Sequence, residues 1–529
     1  MKKNLRLGFL VHGSEIPAWY AESLQTIIAT GQHEIFLLRF SAEQISPPAA
    51  PLFFSLFQRF ERKWFQNQFD ATRSVSITEF AKCAVILDFS AESFLLSSEE
   101  FELLQALELD YVYTIAYNGH AAENVSAGAK FGLWYVQFGY VPLDSHQVPA
   151  FWEVMENAAV TRSCLLMKKK EQITVLYEGS TRTVPFSVFN NFSSIAWKTS
   201  SFVVFRTQSL ATLYETFAER FAEPFTYQTP LREVPSNRKI PLLFLRNVGR
   251  YLLYKAKAKL PAGRFTLLYR RGMFQIENLE QEPFHALPLP PDVFLADPFL
   301  IEKDNINYVF YEEYSYLTGK AHISVLEIGQ PGIPSRPRVV LERPYHLSYP
   351  FVFEHDGAYY MIPETVTNRS VELYKAVCFP TEWELVMTLM DNCELIDCTL
   401  HFQNGLWWLF ASTANHSFVS TNDQLLLYYS SDLFSGEWTP HPLNPIATHA
   451  GNCRPAGRLF IERGKLYRPA QNNASQQYGY GIVINEIHLL DKENYREAPV
   501  RFIYPEPLGL KAIHQLAFTS DLIVIDGIK

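Results

Sequence analysis

Along the first 210 residues, apolar runs of strand length alternate with stretches of helical period. Leu7-Gly8-Phe9-Leu10-Val11 reads as a buried strand at 6–11, ended by His12 too soon for the apolar core of a signal peptide. Gly13-Ser14-Glu15 follows, then a helix from about Ala18 to Thr30. Gly31 suits the C-cap of that helix, and a strand at Glu34–Phe40 comes next. Ala84–Leu87 and Tyr111–Ala116 continue the alternation. Strand–helix–strand order with apolar strands predicts a mostly parallel, doubly wound sheet over 1–210. The first turn lacks GxGxxG, so no dinucleotide cofactor is expected.

Residues 211–275 read as a connector broken by Pro224, Pro230, Pro235 and Pro241. Within it, 242–259 has helical period and carries Arg246, Arg250, Lys255, Lys257 and Lys259 with no acid. Such a helix either docks one domain on the other or lies on an anionic lipid surface.

From 276 to 529 the pattern switches to short aromatic and β-branched strands between polar turns such as His355-Asp356-Gly357 and Gln403-Asn404-Gly405. Five segments begin alike: Asp297-Pro298-Phe299, Tyr349-Pro350-Phe351, Asp397-Cys398-Thr399, Arg454-Pro455-Ala456 and His514-Gln515-Leu516, at intervals of 52, 48, 57 and 60 residues. In the first four a second, aromatic strand follows and ends on a polar residue: Glu312 or Glu313, Glu364, Ser412 and Gln471. Periods near 50 residues built from short strands predict a five-bladed β-propeller. The innermost strand of each blade lines the axis, so Asp297, Glu364, Asp397, Arg454, Arg468 and His514 are expected around one channel. The polar insertion at 413–424 is of the kind that covers a site.

Bulk composition changes this picture little. A chain of 529 residues, 48% apolar and 15% aromatic, fits two or more packed domains. A net charge of -9 weighs against a nucleic-acid partner. The six cysteines lack CxxC spacing and suit free, mostly buried thiols in a reducing compartment, and no metal site is expected. No run has the ~18 apolar residues a spanning helix needs. The expected location is cytoplasmic, with a peripheral contact at the inner face of a membrane through 242–259.

Transfer or hydrolysis at a glycosidic carbon needs one carboxyl to protonate the leaving oxygen and another to act as base or nucleophile. Asp297, Glu364 and Asp397, one from each of the first three blades, are the catalytic candidates: base or nucleophile, general acid, and modulator of the other two. Around them His346, Tyr349, Glu313, Gln471 and His514 are candidates for substrate contact. Arg454 and Arg468 offer forks for a phosphate or carboxylate.

Several motifs also carry a resemblance. Ala296-Asp297-Pro298-Phe299, His346-Leu347-Ser348-Tyr349-Pro350-Phe351-Val352-Phe353, Met361-Ile362-Pro363-Glu364-Thr365, Arg454-Pro455-Ala456-Gly457-Arg458 and Tyr467-Arg468-Pro469-Ala470-Gln471 look like the N-terminal propeller domain of plant glucosamine inositolphosphorylceramide transferases, over about 280–529. More remotely, this half is similar to five-bladed glycosidases of family 43 and to the invertase and levansucrase group. That likeness implies a base or nucleophile at Asp297. The acids here run Asp, Glu, Asp where family 43 runs Asp, Asp, Glu. In the plant enzymes the transferase chemistry is attributed to a further C-terminal domain. Ala129-Lys130-Phe131-Gly132-Leu133-Trp134-Tyr135-Val136-Gln137-Phe138-Gly139 and Pro149-Ala150-Phe151-Trp152-Glu153 resemble the Rossmann-like formyltransferase fold. Tyr135 and Gln137 stand where that family carries Asn and His, and glutamine is no general base. The resemblance therefore implies a bacterial two-domain protein whose first domain binds or assembles without formyl transfer.

Three functions follow. The first is glycosyl transfer in cell-surface polysaccharide or glycolipid synthesis, with a sugar donor and a glycan or lipid-linked acceptor as partners. The second is a cytosolic glycoside hydrolase using the same residues. The third is a non-catalytic carbohydrate-binding scaffold.

Overall fold

The computed structural model describes residues 3–40, 51–89, 96–114, 125–139, 149–221, 225, 235–257, 263–280, 282–329, 334–413, 419–475 and 478–529. The chain divides into two compact units, one of residues 1–260 with 415–419, the other of 261–414 and 420–529.

In the first unit seven strands form one sheet in the order Val85–Phe89, Glu34–Phe40, Arg6–His12, Tyr111–Thr114, Leu133–Phe138, Val160–Lys169, Gln172–Arg182. The first five run parallel and the last two are antiparallel. The parallel strands are apolar on both faces, as crossover helices require. The helix Ala18–Ala29 and the αL residue Gly31 (φ 61°) lie where the sequence puts them. Tyr20 of that helix donates its hydroxyl to the carbonyls of Leu10 and Tyr113 and so ties helix to sheet. The expected strand at 111–116 is described only to Thr114. A helix Val188–Thr212, buried along most of its length, crosses the boundary expected at 210. The basic helix runs Lys239–Lys257, and residues 258–259 lie outside the described set.

The second unit contains five four-stranded antiparallel sheets. Blade one is Val293–Lys303, Ile306–Ser315, Lys320–Ile328 and Arg338–Leu341. Blade two is Ser348–His355, Ala358–Glu364, Ser370–Cys378 and Glu382–Asp391. Blade three is Ile396–Gln403, Leu406–Ser412, Leu425–Ser430 and Thr439–Pro440. Blade four is Phe460–Glu462, Lys465–Asn472, Gly481–Leu490 and Tyr495–Ile503. Blade five joins Ala512–Phe518 and Leu522–Ile528 to Phe265–Arg271 and His285–Ala286. The fold is a five-bladed propeller, and Phe265–Arg271, expected in the connector, is one of its strands. Phe265 pairs with Ile528 and Arg271 with Leu522, so the last blade is closed by chain from both ends of the unit. Pairing of these two strands within one sheet is what closes the ring.

None of the six cysteines is in a disulfide. Only Cys398 and Cys453 are fully buried and Cys83 and Cys378 are exposed, which corrects the expectation of mostly buried thiols. The insertion at 413–424 is described only in part, because 414–418 fall outside the described residues.

Candidate active site at the propeller axis

The repeated motif is a β-bulge. In four blades the first strand slips register across it: between Ala296 and Phe299, Ser348 and Phe351, Ile396 and Thr399, and Ile513 and Leu516. Asp297 (φ 54°), Tyr349 (φ 43°) and Asp397 (φ 55°) take left-handed backbone there. A bulge re-aims side chains that a regular ladder would send to alternate faces. The second strands keep a matching register: Ala296 faces Glu312, Ser348 faces Glu364 and Ile396 faces Ser412. In blade four Pro455 makes an isolated bridge to Ala470, and the Gln471 N–H donates to the Arg454 carbonyl at 2.8 Å. The repeat in sequence is thus a repeat in backbone geometry.

Two carboxyl pairs meet there. Glu312 is hydrogen-bonded to Asp297, and Glu364 to Asp397. All four groups are buried. Arg454 donates Nε to Asp397 Oδ2 at 2.6 Å and Nη1 to Asn422 Oδ1 at 3.2 Å, and its Nη2 lies 3.8 Å from Glu364 Oε2. It therefore holds Asp397 more closely than Glu364. Burial, then repulsion from Asp397, pushes the Glu364 carboxyl well above the usual range. Burial and the neighbouring Asp297 do the same to Glu312. Asp297 is raised by burial to about 6, against the pull of His514. Its carboxylate accepts the Tyr349 N–H at 3.2 Å and lies 3.8 Å from His514 Nε2. Burial thus favours the protonated form of Glu312, while Asp297 loses its proton near pH 6.

The axis is plugged beside these acids. The Tyr349 hydroxyl bonds Thr399 Oγ1 at 2.8 Å and accepts the Gly457 N–H at 3.2 Å, linking blades two, three and four. Gly457 (φ 129°) is fixed by close approach, because a Cβ would lie 2.2 Å from the Leu516 carbonyl oxygen. Arg458 donates to the Val352 carbonyl and stacks on Phe351, 4.9 Å away. Tyr349 is accordingly a support for the site rather than a surface offered to substrate.

The other candidates divide. His346 Nδ1 accepts the Ala321 N–H at 3.2 Å, which leaves the ring proton on Nε2, 3.4 Å from Glu312 Oε1. His514 is buried, with Nδ1 2.6 Å from Asp526 Oδ2 and its ring stacked on Phe265. Gln471 lies beside Arg454; its Oε1 accepts from Asn473 and its Nε2 has no hydrogen-bond partner among the described residues. Glu313 is on the opposite strand face from Glu312 and lies 3.9 Å from His322 Nε2. One residue of strand flips the face, so Glu312 replaces Glu313 as the axis acid. Arg468 is not at the acids: its Nε and Nη2 bond Glu497 at 2.8 and 2.6 Å, and Nη2 also bonds the Asn452 carbonyl.

Asp526, Asn422, Tyr478 and Phe265 join the site without having been singled out. Asp526 accepts the N–H groups of Asp297, His514 and Gln515 at 2.9, 3.2 and 2.8 Å, which braces two bulges from one carboxylate. Its signal was available: one acid inside the apolar strand Leu522–Ile528. Tyr478 lies under the Arg454 guanidinium at 5.7 Å. Asp297, His514 and Asp526 present ligand atoms within 4.8 Å of one another, a set that could hold a cation. His514 Nδ1 and Asp526 Oδ2 in that set lie 2.6 Å apart, and no step is assigned to a metal.

Residues 288–513 match the family described as glucosamine inositolphosphorylceramide transferase 1, N-terminal. A glucosamine inositolphosphorylceramide transferase 1 of Oryza sativa subsp. japonica is 38% identical over 251 residues, 45% of this chain and 33% of the relative. The Arabidopsis thaliana protein of that name is 36% identical over 40% of this chain and 28% of its own length. The chain thus matches about a third of these curated relatives. Among solved structures, the catalytic domain of a Coprinopsis cinerea GH62 α-L-arabinofuranosidase is 12% identical, with a TM-score of 0.36 over 51% of this chain and 98% of its own. A family 117 glycoside hydrolase of Zobellia galactanivorans is 12% identical, with a TM-score of 0.34 over 50% and 91%. The axis motifs from Asp297 to Arg468 all lie inside the span that matches the transferase N-terminal family.

Proposed function

We propose that this protein transfers a glycosyl group to a glycan or lipid-linked acceptor in cell-surface polysaccharide or glycolipid synthesis, with the reaction at the propeller axis. The observation that carries this reading is the pair of hydrogen-bonded carboxyl groups beside one shared guanidinium. It provides a protonated acid, Glu364, and an ionised base, Asp297, in one buried cluster. The acceptor hydroxyl gives its proton to Asp297 as its oxygen bonds the anomeric carbon. The leaving oxygen departs with the electron pair of the broken bond and takes the Glu364 proton. Arg454 and Asp397 hold Glu364 in place, and Glu312 with His346 orients Asp297. Glu364 Oε2 and Gln471 Nε2, buried and without hydrogen-bond partners among the described residues, suit sugar hydroxyls.

For the first unit we carry the formyltransferase-like reading as a binding or assembly domain without formyl transfer. Gln137 is buried in the strand Leu133–Phe138, with its Nε2 directed to the Phe138 carbonyl. That supports a side chain used for structure.

The test is incubation of the full chain with activated sugar donors and glycolipid acceptors, and separately with a furanoside reporter, scored by mass. A transferred sugar that disappears with Asp297→Asn is expected. Hydrolysis of the reporter without transfer favours the hydrolase. Product formation unaffected by Asp297→Asn overturns the axis as the site.

A further inference from the structure

Two helices of the first unit share an exposed surface that the axis chemistry does not use. Leu52–Phe65 turns Phe54 and Phe57 inward, where they pack with Phe151, Val154, Met155 and Ile240. Outward it exposes Leu52, Phe53, Leu56, Phe60 and Trp64, with Trp64 at 69% and Leu52 at 66%. The helix Lys239–Lys257 lies against it through Phe244, whose ring is 5.4 Å from Phe60. The second helix buries Ile240 and Asn247, while Leu242, Leu245, Leu252 and Leu253 are each more than 60% exposed. At ~100° per residue those four leucines fall within about 100° of arc, opposite the docked side. A helix that only joined two domains would bury one face and leave the other polar. Here the face turned away from the fold is the more apolar.

The charge on this surface has one sign. Arg59, Arg62, Lys63, Lys239, Arg246, Arg250 and Lys255 belong to the two helices, and their lone acid, Glu61, is buried against Ser187 and the Phe189 N–H. Arg246 and Arg250 are partly spent on the carbonyls of Met155 and Val154, in the last turn of the helix Phe151–Glu156. Arg59, Arg62, Lys63, Lys239 and Lys255 are exposed and flank the leucine and tryptophan stripe. Leucine and aromatic residues on one face, rimmed by basic side chains without acids, match the acyl–headgroup boundary of an anionic bilayer. Among the described residues no helix is long and apolar enough to cross a membrane. The match is therefore to a surface, not a span.

We propose that the helices Leu52–Phe65 and Lys239–Lys257 together form a platform that seats the protein on an anionic lipid surface. The proposal stands apart from the reaction at the axis, and would place the chain where a lipid-linked acceptor is presented.

The full chain is sedimented with phosphatidylcholine vesicles and with phosphatidylcholine–phosphatidylglycerol vesicles. Binding to the anionic vesicles is expected, weakened roughly tenfold or more when Leu245→Glu is combined with Leu252→Glu, and separately by Trp64→Glu. High salt weakens it as well, through the basic rim. Brominated lipid should quench tryptophan fluorescence in the wild type and less so in Trp64→Phe. Circular dichroism of each variant, matched to wild type, guards against loss of fold, and sugar transfer to a soluble acceptor should be unchanged. The proposal is overturned by equal affinity for neutral and anionic vesicles, or by variants that bind like wild type. It is equally overturned if the protein is a dimer that ignores lipid and that Leu245→Glu splits, since the face then belongs to a second copy.

Discussion

Two arginines of blade four show what distinguishes architecture from site. Arg468, in the strand Lys465–Asn472, has a single acid partner, Glu497, bonded through both ends of its fork. Both side chains are almost fully buried, and Tyr495 also donates to Glu497 at 2.6 Å. Charge is balanced one to one. Arg454, fourteen residues earlier, is shared by Asp397 and Glu364, with Asp297, Glu312 and Asp526 in the same cluster. Even with His514 counted as a cation, five acids face two bases, and burial favours the protonated forms of Glu312 and Glu364. A balanced pair holds blade strands together. An unbalanced cluster holds protons that chemistry can use.

The comparison breaks first on activity. Asp297→Asn and Glu364→Gln should each lower turnover by about 10²–10⁴-fold, the usual contribution of a positioned acid or base. Arg468→Met should leave turnover per folded molecule unchanged, as measured by product mass against folded fraction. Its effect falls on stability instead. Removing one partner of a buried pair leaves Glu497 uncompensated, and a loss of about 3–5 kcal/mol is expected in urea unfolding. Adding Glu497→Leu should recover most of that loss, which would show that the pair is structural.

The pH dependence sharpens the same contrast. Asp297 is raised from 3.8 to about 6, so the base is lost to protonation as pH falls through about 6. The pH profile of kcat/KM should therefore have its ascending limb near pH 6. A limb near pH 4 would mean that Asp297 is not the base. The smallest expected difference separates neighbours on one strand. Glu312→Gln should slow turnover by roughly tenfold, whereas Glu313→Gln should change it by less than about twofold, because only Glu312 faces the acids.

Much of this was legible in the chain. The recurrence of Asp297, Tyr349, Asp397, Arg454 and His514 marks the blade count, since four blades repeat one bulge and blade four replaces it with the Pro455–Ala470 bridge. What single-sequence periodicity hides is long-range pairing. Phe265–Arg271 looks like connector because its partner, Leu522–Ile528, lies some 250 residues away. Alternation in the strand of Arg468 does not tell the axis from the space between blades, so sequence alone places it with Arg454. Glu312 and Glu313 are indistinguishable for a related reason, since two adjacent acids leave the face undetermined by type alone. Asp526 lies outside the repeated opening motif, one position before Gly527, the residue that pairs with Ile513, so the repeat does not mark it.

The central claim is that the axis holds more acid than the fold needs. The most direct test is thermal unfolding of Asp297→Asn beside wild type at neutral pH. The stability that a protonated Asp297 lends below pH ~3.8 is lost as pH rises through its folded value of about 6, so at neutral pH the ionised group works against the fold. Asparagine also tolerates the left-handed backbone at this position. An unfolding midpoint equal to or above that of wild type is the expected result. A midpoint several degrees lower would show that Asp297 is one half of a structural ion pair and contradict the account.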